Sequence, residues 1–125
     1  TLPLPVQGRI VSSFGKKYDV GSKLQVFHKG IRIAAGRGKQ VKAIFSGKLV
    51  FTGNLPGYGN VAVVDHGSGF YSLCGNLGRL DRKTGDWVKM GDGVGALDTL
   101  ATPLYFEIRY RNVAVNPLQW VSYEI

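Results

Sequence analysis

Short runs of alternating apolar and polar residues, punctuated by glycine, organise this chain. The runs at residues 41–52, 60–65, 70–77, 104–110 and 113–115 are rich in β-branched and aromatic residues and predict strands. Gly57-Tyr58-Gly59, His66-Gly67-Ser68-Gly69 and Arg111-Asn112 predict turns between them. No segment carries the spacing of a long amphipathic helix. The best helical candidate, residues 117–123, is a single turn that Asn116 is placed to cap. The pattern predicts an all-β chain of antiparallel hairpins, a hairpin or sandwich architecture with little helix.

Period-two alternation also sorts faces. Leu104, Phe106 and Ile108 share one side of their strand and suit a core, while Tyr105, Glu107 and Arg109 share the other. Ile31 and Ile33 point one way; His28, Gly30 and Arg32 point the other. Ser72, Cys74 and Asn76 share a side. A slip of one residue would exchange every such set, so burying one face fixes the register. The expectation is that the three polar faces converge on one groove.

Composition narrows the function classes. The chain has 125 residues, which fit one domain with one core. An apolar share of 44% with interspersed charge excludes a disordered tail. No run approaches the roughly 18 apolar residues of a membrane helix. Sixteen Lys and Arg against eight Asp and Glu give a net charge of +8, which raises encounter rates with anionic partners. Those basic residues are scattered from Arg9 to Arg111, without a basic helix or an RNA-binding signature, so no nucleic-acid partner is expected.

Candidate chemistry is thin. Cys74 is the only cysteine, so it forms no internal disulfide, and nothing around it marks a thiol activated by His28 or His66. Asp65 and His66 are strand neighbours facing opposite ways, with no nucleophile motif nearby. Gly91-Asp92-Gly93-Val94-Gly95 lacks the Lys-Ser/Thr and the helix of a phosphate loop. It predicts a tight turn between short strands, with glycines supplying positive φ.

Two segments stand out: His28-Lys29-Gly30-Ile31-Arg32-Ile33 and Pro103-Leu104-Tyr105-Phe106-Glu107-Ile108-Arg109. Between and after them come Gly57-Tyr58-Gly59-Asn60-Val61, Asp65-His66-Gly67-Ser68-Gly69, Leu73-Cys74-Gly75-Asn76-Leu77, Val88-Lys89-Met90-Gly91-Asp92 and Val115-Asn116-Pro117. Each piece is weak alone. Their ordered set, spanning residues 5–121, resembles the LytM/lysostaphin family of zinc peptidoglycan endopeptidases and implies that family's all-β fold.

In active members of that family the first segment reads His-x-x-x-Asp and the last reads His-x-His, and a further histidine flanks the attacking water. The resemblance therefore places His28 at the first zinc-ligand position, Arg32 at the aspartate and Tyr105 at the final ligand. Asn76 and Pro103 fall at the two catalytic histidines. One of five residues is retained, so no metal, no cofactor and no catalytic residue is expected, and the chain is expected not to be an enzyme.

Leu104-Tyr105-Phe106-Glu107-Ile108-Arg109 and His28-Lys29-Gly30 are instead similar to the degenerate, EnvC-type branch of amidase activators. That resemblance implies a non-enzymatic activator of a peptidoglycan amidase in cell separation. The partner would be a periplasmic zinc-dependent amidase, bound directly or through its regulatory element by a metal-free groove of Lys29, Arg32, Tyr58, Tyr105 and Arg109. Tyr58 and Tyr105 offer rigid contact area, Arg32 and Arg109 offer forked donors, and Lys29 offers a steering charge. The implied unit is a monomeric domain, 1–125, forming the C-terminal part of a longer periplasmic chain. Its leader and its link to the division machinery would lie outside this sequence. The alternative is a module that binds peptidoglycan, or scaffolds it, without activating an amidase. Two departures from the branch are Arg32, where a small apolar residue is common, and Cys74, where tyrosine is.

Overall fold

The computed structural model describes residues 1–122. Fifteen strands occur among them: β1 Leu2–Pro3, β2 Arg9–Ser12, β3 Gly15–Asp19, β4 Leu24–His28, β5 Ile31–Ala34, β6 Gln40–Lys42, β7 Gly47–Leu55, β8 Gly59–Gly67, β9 Phe70–Leu77, β10 Arg79–Leu80, β11 Trp87–Val88, β12 Gly93–Ala96, β13 Leu104–Tyr110, β14 Val113–Val115 and β15 Val121–Ser122. The predicted single turn is a 3₁₀ helix, Pro117–Gln119, and Asn116 caps it by accepting the Leu118 N–H at 3.1 Å. Tyr123, the last residue of the predicted turn, lies outside the described residues.

The main sheet runs β11-β7-β8-β9-β13-β5-β2, with β14 paired to β13, and every pairing in it is antiparallel. A smaller antiparallel sheet runs β10-β12-β6. The exception to the antiparallel expectation is the short parallel pair β1–β15, which brings the two ends of the described chain together.

One face of the main sheet forms the core. Ile31, Ile33, Leu49, Val64, Leu104, Phe106 and Ile108 are buried there, in one cluster with Val41 and Val94 of the smaller sheet and with Leu4, Val6 and Val121. The alternation of β13 and β5 thus places their core residues as the sequence predicts.

The predicted strand 41–52 is instead two strands. β6 pairs with β12 in the small sheet, whereas β7 pairs with β8 and β11 in the large one. Ala43 and Ile44 cross between the sheets and stay buried, so apolar sequence continues where the strand does not. Residues 15–28 form a hairpin of their own, β3–β4. It is exposed along nearly its whole length and therefore carries no alternation. In the 91–95 segment only Gly91 has positive φ, at 91°; Gly93 and Gly95 are strand residues of β12.

Candidate functional site

The site grows from the pairing of β5 with β13. Their register sets Arg32 opposite Tyr105, and Tyr105 is opposite Gly75 of β9. A glycine beneath a tyrosine leaves room for the ring to lie flat on the sheet. Gly30, just before β5, is a closer approach still. A Cβ there would stand 2.5 Å from the Phe106 carbonyl oxygen and 2.9 Å from both Glu107 Cγ and Tyr105 Cζ. Only glycine lets this bend seat against β13.

Tyr58 comes from the turn between β7 and β8, and its ring centroid is 5.4 Å from that of Tyr105. The turn is latched to β9 by the Asn76 N–H, which donates to the Tyr58 carbonyl at 2.7 Å. Asn76 has φ 58°, the left-handed region, and so breaks the alternation of β9. Its amide, oriented to satisfy both ends, donates to the Tyr58 carbonyl at 3.1 Å and accepts from Arg32 Nη1 at 3.2 Å. The Arg32 guanidinium also lies 5.2 Å from the Tyr105 ring centroid, a cation–π contact.

These groups border a cavity of about 390 Å³. Arg32, Tyr58 and Tyr105 line it together with Lys29, His28, Phe27 and Ser12. His28 ends β4 and its Nδ1 is 3.2 Å from Ser12 Oγ. Four of the five expected groove residues, Lys29, Arg32, Tyr58 and Tyr105, therefore converge.

Arg109 does not line this cavity. It borders a separate hollow of about 200 Å³ with Val63, Tyr71 and Leu73, and its Nε donates to Glu107 Oε1 at 2.7 Å. The spacing of β13 explains this: Arg109 stands four residues from Tyr105 along an extended strand, with Glu107 between them. Glu107 is wholly buried although it shares the outer face. Burial, together with the hydrogen bond to Glu107 and its charge, raises the Tyr105 phenol well above its ordinary pKa. The hydrogen bond to Glu107 likewise raises that of Arg109.

The expected third polar face is not one. Ser72 and Cys74 are buried toward the core, and the groove side of β9 carries Leu73 and Gly75. Asn76 reaches the site through its left-handed backbone alone. Pro103 precedes β13, half-buried, and is not among the residues lining the cavity. Phe27 and Ser12 were not legible in the sequence as site residues: β4 is exposed nearly throughout, and Arg9-Ile10-Val11-Ser12 sets two apolar residues side by side, which hides the alternation of β2.

The remaining chemistry is structural. Burial pushes the Cys74 thiol up to about 12, so it supplies no thiolate at neutral pH. His66 Nδ1 is 2.9 Å from the Ser46 carbonyl and Nε2 is 2.7 Å from Ser72 Oγ. That pattern assigns the proton to Nδ1 and makes Ser72 the donor to Nε2.

The residues that the resemblance assigns to zinc positions do not fit zinc. His28 is the one ordinary ligand among them. The Tyr105 phenol is committed to Glu107 Oε2 at 2.5 Å. Arg32 places a permanent cation where the resemblance implies a carboxylate ligand. At about 4 Å from a divalent ion this costs roughly 2 kcal/mol in water and about 8 at an effective dielectric near 20. Among the described residues no three His, Cys, Asp or Glu side chains cluster as metal ligands.

The chain matches the family model described as peptidase family M23 over residues 26–117. It is 31% identical over 121 residues to the murein hydrolase activator NlpD of Escherichia coli (strain K12), covering 94% of this chain and 30% of that protein. It is 36% identical over 122 residues to the murein hydrolase activator EnvC of the same organism, covering 94% of this chain and 28% of that one. The chain thus spans less than a third of the length of either relative. A crystal structure of a zinc-containing peptidase from Vibrio cholerae superposes with a TM-score of 0.82 at 29% identity, over 90% of this chain and 37% of that one. By the family match, the fold and the ordered motifs, this chain belongs to peptidase family M23, the LytM-like fold.

Proposed function

We propose that this chain is a non-enzymatic activator of a peptidoglycan amidase, acting in the bacterial cell envelope during cell separation. The observation that carries the reading is the convergence of Arg32, Tyr58 and Tyr105 on one open cavity. A guanidinium and two tyrosines make poor metal ligands and good protein contacts. The relatives named as murein hydrolase activators support it. The groove of Lys29, Arg32, Tyr58 and Tyr105 binds the amidase or its regulatory element and selects the open, active conformation of the enzyme. Arg109 contributes through Glu107, which fixes the Tyr105 hydroxyl. The unit works as one domain of a larger periplasmic protein.

Dye release from labelled sacculi tests this. The chain alone is expected to release nothing, a cognate amidase alone little, and the two together much more. Tyr58→Ala is expected to abolish the stimulation without unfolding the protein. Stimulation by Tyr58→Ala equal to wild type would remove the groove from the account.

The net charge of +8 favours one rival, a module that holds anionic wall polymer without touching an amidase. Salt-sensitive co-sedimentation with sacculi, in a chain that stimulates no amidase, is the result that would select it.

A further inference from the structure

The position that the resemblance assigns to a zinc ligand carries a cation here. Arg32 is held on two sides, with its guanidinium over the Tyr105 ring and its Nη1 donating to Asn76. Among the described residues it has no ion-pair partner. The neighbouring carboxylate, Glu107, is wholly buried and spent: Arg109 takes Oε1 and Tyr105 takes Oε2. Among the described residues no Asp or Glu lines the cavity, whereas Lys29 and His28 stand beside Arg32 on its wall.

A guanidinium carries five N–H groups in a planar fork that matches a carboxylate. Here the fork is oriented in advance on the wall of an open cavity and, among the described residues, lacks a counter-ion. Orientation before binding removes much of the side-chain entropy that exposed ion pairs lose. Stacking on Tyr105 leaves the guanidinium edge available for bidentate hydrogen bonds.

We infer that Arg32 seats a carboxylate side chain, an Asp or Glu, of the protein that docks in the groove. This rests on the docking reading above and adds the chemistry of the docked residue. A protein source follows from the docking reading, and the aromatic surface flanking Arg32 suits apolar side chains beside the carboxylate. Tyr58 and Tyr105 border it, and Phe27, 50% exposed, lies on the same cavity. The occupant is then an acidic residue between apolar ones. The rest of the chain favours the same sign, since its net charge of +8 steers an acidic segment inward.

The test measures affinity for the amidase that the chain stimulates most, over a range of NaCl concentrations, with Arg32→Gln, Arg32→Lys and Tyr58→Ala. Arg32 is exposed, so its variants are expected to melt with wild type. Arg32→Gln is expected to bind at least about tenfold more weakly and with a shallower salt dependence. Arg32→Lys should recover part of the loss, because it keeps the charge but not the fork. A scan of Asp→Asn and Glu→Gln in the amidase should find one acid whose loss adds nothing to Arg32→Gln.

Wild-type affinity in Arg32→Gln beside weak binding by Tyr58→Ala would overturn the carboxylate seat and leave the docking reading standing. Wild-type affinity in both would overturn the docking reading itself. Displacement of the amidase by free wall stem peptides, dependent on Arg32, would assign the carboxylate to the wall and overturn the protein source.

Discussion

The Tyr105 hydroxyl donates to Glu107 Oε2 across 2.5 Å, two residues along one strand, and Arg109 closes the same carboxylate from the other side. The outer face of β13 is thus a polar triad whose middle member has no exposure. The triad fixes the ring that forms the cavity wall. It also stores a liability, since a buried charge without its partner is costly.

Arg109→Ala is therefore expected to destabilise the fold by about 2–3 kcal/mol, by leaving Glu107 buried and unpaired. The loss stays below the full penalty for a buried pair because the Arg109 side chain is 37% exposed and water reaches that side. Urea denaturation reads the effect. The double variant Glu107→Leu/Arg109→Leu should recover most of the stability, since replacing both partners removes the uncompensated charge. Equal stability of Arg109→Ala and wild type would show that Glu107 does not depend on the pair.

Gly30→Ala should cost about 2 kcal/mol or more, without any change in backbone preference. The added methyl meets the Phe106 carbonyl and both Tyr105 and Glu107, and the carbonyl belongs to a sheet that cannot yield. Because Gly30 and Tyr105 both line the cavity, amidase stimulation should fall even at temperatures where the variant is folded. A thermal melt paired with the dye-release assay separates the two effects.

Acid sensitivity is expected from His66. Burial lowers its pKa below the ordinary 6.5, outweighing the Ser46 and Phe45 carbonyls and Asp65, which favour the charged ring. The unfolded chain therefore binds this proton more readily than the native one. Stability held above pH 6.5 should decline as pH falls through 6.5 toward the lowered native value, where the native ring also protonates. Melting temperatures across that interval should fall in wild type and fall less in His66→Gln. Parallel curves would contradict the assignment.

Much of this was legible in the sequence. Leu104, Phe106, Ile108, Ile31 and Ile33 are core residues because strict alternation under one-sided burial leaves no other register. Arg32 and Tyr105 were assigned to one site from motif order, and the structure pairs them directly. Three features were hidden. Asn76 leaves the face of Ser72 and Cys74 because its backbone is left-handed, which no periodicity announces. Glu107 looks like a surface residue by alternation, yet Tyr105 and Arg109 fold over it. Phe27 enters the cavity from a hairpin exposed on both faces, where the apolar pattern that reveals strands is absent.

Chelation should leave the fold unmoved. A site with one imidazole and a facing guanidinium gives zinc little to hold, so melting with and without a strong chelator should agree within about 1 °C. A drop of several degrees on chelation would reveal a metal that stabilises the native state.

The most direct test is cross-linking by position. A photoreactive phenylalanine analogue at Tyr58, in the groove, should trap the amidase in a specific complex. The same group at Val113, 63% exposed on β14, should not. Efficient trapping at 113 with none at 58 would contradict the claim that the groove of Arg32, Tyr58 and Tyr105 is the docking surface.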